Sequence, residues 1–319
     1  MALLWLLIGA FASGWVSFAA ARPLSATLAT AAHGGLALGV IALGPWKAVI
    51  IRRARLRPAG LVLLSLLLVS LAAGFVQLFL GYVVVGGLSP IQVHVGAALI
   101  GVPLLGWHVR SRHRQRVRST DVSRRALLRW TAGLAGVGAA YAGVLGLAQL
   151  TGGLTRRPAA TGSRAVDPDQ IPATIWLLDR VPTLTAEHRV DVAGRSVTAA
   201  DLAFGAEDVT ARLDCTSGWY AEARWRGRRL SDLLRPDPLR RAVGVRVISV
   251  TGYHRTFPVS AAPDLWLATS CQGRPLTELT GAPVRLVAPG YRGFWWVKWV
   301  TRVELTQDPA WRQLPFPPQ

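Results

Sequence analysis

Two cysteines and six histidines are the soft or ionisable ligands available to this 319-residue chain. Cys215 stands in Arg212-Leu-Asp-Cys215-Thr-Ser-Gly-Trp219, with Trp225-Arg-Gly227 just beyond. Taken alone, such a thiol has three roles open to it: a metal-binding thiolate, a buried structural thiol, or half of a disulfide with Cys271. Some seventy residues later comes Gly281-Ala-Pro-Val-Arg285-Leu-Val-Ala-Pro-Gly290-Tyr291-Arg292-Gly293-Phe-Trp-Trp-Val-Lys298-Trp, a second cluster of cations and glycines. Far upstream, His33 and His94 interrupt long apolar runs. A histidine in such a setting acts as a ligand or a proton carrier.

Those apolar runs set the architecture. About half of the residues are apolar and only 17% are charged, yet the net charge is +19. Up to residue 155 there is essentially one acid, Asp121, while bases concentrate at 47–57 and 110–129. Basic clusters between apolar segments follow the positive-inside rule and carry no interleaved stacking aromatics, which excludes nucleic acid as a partner. Five segments, near 2–20, 25–46, 59–86, 90–109 and 127–150, are long enough to cross a hydrocarbon core of ~30 Å. The basic loops follow the second and fourth, so the loops and the amino terminus are expected inside and everything after about residue 151 outside. The first segment lacks a basic leader and is read as a retained helix, with a cleaved signal peptide as the other reading.

His33 and His94 then fall at similar depths near the outer face, where antiparallel helices would present both imidazoles to one iron as axial ligands of a haem b. A structural hydrogen bond or a quinone pocket without metal is the competing reading. His108 lies fourteen residues after His94, about 21 Å deeper along a helix, but the second segment offers Pro45, Trp46 and Lys47 at that depth. One haem is therefore expected rather than two, and His108 and His113 are read as interfacial residues.

Residues 151–170, rich in Gly, Pro, Thr and Ser, read as a tether. Beyond it, 171–319 alternates short β-rich runs with turn signals: Arg189–Val192, Val209–Leu213, Val245–Val250, Thr256–Val259, Leu265–Ala268, Val284–Val287 and Trp299–Leu305. Helical periods are expected only at Thr198–Phe204 and Leu230–Leu234. The chain thus reads as an α-helical membrane bundle of about five spans, residues 1–150, followed by an α+β, mainly β, domain.

The separated motifs from Arg212-x-x-Cys215 through Gly281-Ala-Pro-Val-Arg285-Leu to Val-Lys298-Trp resemble, in order, the molybdopterin-binding domain of the sulfite oxidase family. The resemblance covers roughly residues 180–306. It implies that Cys215 is the protein's thiolate ligand to molybdenum and that Arg285 and Lys298 lie near the phosphate of the pterin. It also implies that Gly290, Tyr291, Arg292 and Gly293 form a glycine-rich turn close to the cofactor. Arg212 is a further candidate for the pterin or an anion near the metal. Tyr253 and His254 either reach the metal pocket or form an exposed turn, and Cys271 is read as a core thiol.

Neither a soluble haem domain before the cysteine motif nor room after it for an immunoglobulin-like dimerisation domain is evident. In both respects the chain looks more like the periplasmic methionine sulfoxide reductase type within that family. A membrane module on the same chain implies electron exchange between the quinone pool, haem and molybdenum, for oxygen-atom transfer to or from a small or protein-bound oxo substrate. The expected direction is sulfoxide reduction; sulfite oxidation, or a membrane-anchored cofactor module without haem, are the alternatives. Ser123-Arg124-Arg125-Ala126-Leu127-Leu128 reads equally as an internal twin-arginine export signal or as positive-inside charge.

Overall fold

The computed structural model describes residues 2–45, 58–111, 159–175, 180–185, 187–236 and 241–314, and eight positions between 133 and 150, all helical. The chain divides into two compact units, one of Met1–Phe18 with Leu24–Arg164 and one of Ala19–Pro23 with Ala165–Gln319.

The first unit is helical: α1 (Ala2–Ala19), α2 (Pro23–Ala42), α3 (Pro58–Phe79) and α4 (Pro90–Arg110). Three of the four begin on proline, whose fixed φ and missing N–H suit the first helical turn. Ser89 adds a capping box at α4, with its Oγ accepting from Gln92 N and Gln92 Oε1 accepting from Ser89 N. Arg110, at the end of α4, is the only charged residue in the four helices. Large apolar side chains such as Leu24, Leu28, Leu61, Leu68 and Ile100 stay on the outside. Among the described residues four helices are long and apolar enough to cross a membrane, against five expected. The third stops at Phe79 rather than running to 86, because Gly81, Gly86 and Gly87 take left-handed φ and turn the chain. The fifth segment and the Arg124-Arg125 motif lie mostly or wholly outside the described residues.

The second unit is built on two sheets. One has six strands in the order β1 (Arg164–Ala165), β5 (Trp219–Arg229), β8 (Trp266–Cys271), β10 (Arg285–Val287), with β4 (Glu207–Cys215) also on β5 and β9 (Arg274–Pro275) on β8. The other runs β3 (Arg195–Thr198), β2 (Arg189–Val192), β11 (Val300–Thr306), β6 (Gly244–Ser249), β7 (His254–Pro258); β11 and β2 pair in parallel and the rest antiparallel. Two short helices, α5 (Ala199–Ala203) and α6 (Leu230–Leu233), complete an α+β, mainly β, domain. Its core is Trp219, Trp225, Trp299, Phe257, Leu230, Leu265, Leu267 and Leu286, all nearly inaccessible. The three indoles are the largest of its fully buried side chains.

β5 is the longest strand and was not foreseen as one. Its buried positions are Trp219, Ala221, Ala223, Trp225 and Gly227, while Glu222, Arg224 and Arg226 face out. Alternation of alanine with arginine satisfies a pleat whose inner face is crowded by tryptophan, but it is a weak β signal.

Candidate functional site

Cys215 ends β4 and pairs with Trp219 across a tight connection to β5. It is 7% exposed and is not joined to Cys271; both thiols are free. Ser217 N donates to its Sγ at 3.5 Å and Thr174 Oγ1 lies 3.6 Å away. The sulfur thus sits beneath the protein surface, accepting from a backbone N–H and donating to a hydroxyl oxygen.

Around this sulfur the fold gathers cations. Arg285, 2% exposed, lies beside the edge-to-face pair of Trp225 and Trp296, 4.8 and 5.7 Å from their ring centres. Its Nη1 donates to Thr280 O at 2.9 Å, while its buried Nε has no protein partner. Burial pulls the guanidinium down to about 10, opposed by the nearby sulfurs of Cys271 and Cys215. Lys298 Nζ donates to Leu279 O at 2.6 Å and to Thr174 O at 2.8 Å, and Trp299 Nε1 donates to Glu278 O at 2.7 Å. Three consecutive carbonyls, 278 to 280, therefore hold Trp299, Lys298 and Arg285. Gly281, next in line, lies so close that an added Cβ would sit 3.1 Å from the Cβ of both Arg285 and Lys298.

The glycine-rich turn closes the other side. A Cβ on Gly293 would come within 3.0 Å of Cys215 Cα and 3.3 Å of Asp214 O, so the turn meets the cysteine backbone only because residue 293 has no side chain. Arg292 Nη2 faces Asp214 Oδ1 at 3.7 Å, both almost fully buried. Gly290 supplies a left-handed φ of 75°. Tyr291 meets Phe257 edge-to-face and Trp295 at a tilt, and burial raises its hydroxyl.

Two expected residues are not brought to the sulfur. Arg212 is exposed on β4, with its guanidinium 3.7 Å above the ring of Tyr220. Three residues before Cys215 on one strand, it points to the opposite face. His254 opens β7 on the other sheet and makes a local contact, Nδ1 to Gly252 O at 3.1 Å. Its neighbour Tyr253 instead reaches the cofactor turn's far end, donating to Phe294 O at 2.5 Å. Cys271 is a half-buried thiol pushed up to about 11 by burial.

Thr174 carried no signal in the sequence. It precedes the first long strand, in a stretch whose composition reads as loop, and only the three-dimensional contacts of its hydroxyl and carbonyl draw it to the site.

Within the first unit, His33 and His94 face each other with ring centres 5.6 Å apart and planes at 89°. His33 Nδ1 lies 2.7 Å from Ala10 O, and His94 Nδ1 lies 2.8 Å from Ser70 O and 3.1 Å from Ser70 Oγ. Both rings are thereby oriented through Nδ1, with Nε2 as the nitrogen that could hold a metal. With metal–nitrogen bonds of about 2 Å, two imidazoles on one iron need ring centres roughly 6 Å apart, close to the separation found. Gly14 and Gly74 back the rings, an added Cβ lying 3.0 Å from His33 Nδ1 and 3.3 Å from His94 Nδ1.

Residues 179–313 match the family model described as the oxidoreductase molybdopterin binding domain. The protein-methionine-sulfoxide reductase catalytic subunit of Xanthomonas campestris pv. campestris is 32% identical over 130 residues, 34% of this chain and 40% of that protein. The mitochondrial sulfite oxidase of Rattus norvegicus is 32% identical over 112 residues, 31% of this chain and 20% of that protein. The chain therefore spans less than half the length of either relative. Among solved structures, the sulfane dehydrogenase SoxCD of Paracoccus pantotrophus aligns at 24% identity over 40% of each chain with a TM-score of 0.35. The donor set fits the group named by the family model: a soft sulfur under the surface, a buried guanidinium nitrogen of Arg285 with no protein partner, and a second cation, Lys298, held on the same short turn. Residues 179–313, within the second unit, thus match the molybdopterin-binding oxidoreductase domain and are similar over part of their length to a methionine-sulfoxide reductase catalytic subunit and a sulfite oxidase.

Proposed function

We propose that the protein is a membrane-bound, molybdenum-dependent oxidoreductase that transfers an oxygen atom in a two-electron reaction outside the membrane. In this reading it exchanges electrons with the quinone pool through a haem b held by His33 and His94. The observation that carries the proposal is Cys215: a buried thiol at a strand end, with Arg285, Arg292 and Lys298 converging on its surroundings. When bound, the cofactor supplies a metal that accepts or gives two electrons together with an oxygen atom.

The chain's own residues divide the remaining work. Cys215 supplies the protein's sulfur ligand. Lys298, pinned by two carbonyls, and Arg285, packed beside two indoles, provide the positive charge that a pterin phosphate requires. Gly290–Gly293 lets backbone amides approach the cofactor without steric hindrance, and the Arg292–Asp214 pair holds that turn to β4. Trp219 and Trp296 keep water from the interior side.

Reduction is the favoured direction: a sulfoxide takes two electrons and two protons to become a thioether and water. Its support is the likeness to a catalytic subunit named for that reaction. The reverse sense, sulfite plus water giving sulfate with two electrons and two protons released, is supported by an equal identity to a sulfite oxidase.

Metal analysis and optical spectra of the detergent-purified full-length protein, beside Cys215→Ser, test the proposal. Molybdenum lost in the variant, together with a reducible b-type haem spectrum abolished by His33→Ala or His94→Ala, is the expected result. Molybdenum without haem would reduce the helices to an anchor, and absence of both would overturn the enzyme. Turnover of methionine sulfoxide against sulfite then decides the direction.

A further inference from the structure

The strongest feature outside the expected site is Thr174. Its Oγ1 accepts a hydrogen bond from Trp219 Nε1 at 3.3 Å and sits 3.6 Å from Cys215 Sγ, while its carbonyl accepts from Lys298 Nζ at 2.8 Å. One residue thus touches the sulfur, a core indole and a phosphate-site cation.

The indole N–H is a donor only. Because Trp219 donates into the hydroxyl oxygen, the hydroxyl proton is directed elsewhere, and the sulfur is the acceptor within reach. With a neutral thiol the bond runs from S–H to the hydroxyl. With a thiolate it reverses, and Thr174 donates to sulfur beside the Ser217 amide. Trp219 is 2% exposed and fixed by its strand pairing, so the arrangement is preorganised rather than adaptable.

We propose that Thr174 is a positioning residue for the molybdenum thiolate: its hydroxyl, oriented by Trp219, hydrogen-bonds Cys215 sulfur and raises the metal's reduction potential. The inference rests on the molybdenum reading of Cys215 given above. A hydrogen bond to a ligating sulfur draws charge from it and lessens its donation to the metal, which favours the reduced state. The carbonyl contact with Lys298 gives the same residue a second function, locking sulfur and cation at a fixed spacing.

The test compares wild type with Thr174→Val, Thr174→Ala and Thr174→Ser in the full-length protein, reading molybdenum content, the Mo(V) electron paramagnetic resonance spectrum and its midpoint potential in a redox titration. Valine and alanine should retain the metal, change the spectrum and move the midpoint to lower potential, with serine restoring both. Loss of metal in valine and alanine but not serine would support the same hydroxyl role. An unchanged midpoint in valine and alanine, or a serine variant that behaves like valine, would overturn the inference while leaving the enzyme reading intact. Wild-type protein without molybdenum would overturn both.

Discussion

Lys298 and Arg285 end on consecutive carbonyls of one short turn, Nζ at 2.6 Å from Leu279 O and Nη1 at 2.9 Å from Thr280 O. The two cations differ in cost. Arg285 is buried with a carbonyl bond from its guanidinium and two aromatic rings beside it, and its fall from the ordinary arginine value to about 10 corresponds to a penalty on the order of 3 kcal/mol. Because the folded value is the lower one, that penalty is constant below about pH 10 and is relieved only as pH rises above it towards the ordinary arginine value. Arg285→Met should therefore leave the melting temperature unchanged or slightly higher while lowering molybdenum content severalfold. A drop in melting temperature of many degrees with normal metal loading would show that the cation serves the fold instead.

Cys271 gives a pH signature. Its thiol is raised from 9.0 to about 11, first by burial. A raised acid is neutral in the fold, so its stabilising contribution is complete below pH 9 and is lost between pH 9 and 11. Cys271→Ala should flatten the stability profile in that window, measured by urea melts at successive pH values, and should leave molybdenum content at the wild-type level. A metal-free Cys271→Ala protein would place this thiol in the cofactor site.

Much of this arrangement was legible before any coordinates. The apolar runs, the β-rich second half and the Cys215, Arg285, Gly293 and Lys298 motifs all rest on strong local signals: hydropathy over twenty residues, or residue types at fixed spacing. What was not legible depends on facing. Arg212 is three residues from Cys215 in sequence, but a pleat sends it to the other side of β4. β5 hid behind alanines and arginines, and Thr174 gains its importance only from side chains more than forty residues away.

The glycines behind the histidines offer a test of the proposed haem site that spares His33 and His94. A Cβ at Gly14 would lie 3.0 Å from His33 Nδ1, tighter than the ring can accept without moving, whereas at Gly74 the corresponding distance from His94 is 3.3 Å. Gly14→Ala should therefore displace its imidazole more than Gly74→Ala. The expected outcome is a shifted midpoint potential or partial loss of the b-type spectrum, larger for the first. Identical, unperturbed spectra in both variants would mean that these rings do not bind the iron.

Gly293 and Gly290 should separate close approach from backbone conformation. Gly290→Ala forces a left-handed φ of 75° on a side chain, a cost of about 1–2 kcal/mol that leaves the site's shape alone. Gly293→Ala instead drives a methyl towards Cys215 Cα and Asp214 O at 3.0 and 3.3 Å, backbone atoms that cannot rotate away. It must push the turn off β4 and strain the Arg292–Asp214 pair. Thermal melts of the metal-loaded proteins should show a modest loss for Gly290→Ala, with molybdenum retained. For Gly293→Ala, metal content should fall by more than half, because the atoms displaced are those carrying the sulfur. Equal retention of metal in the two would mean that the turn's contact with Cys215 is not what shapes the cofactor site.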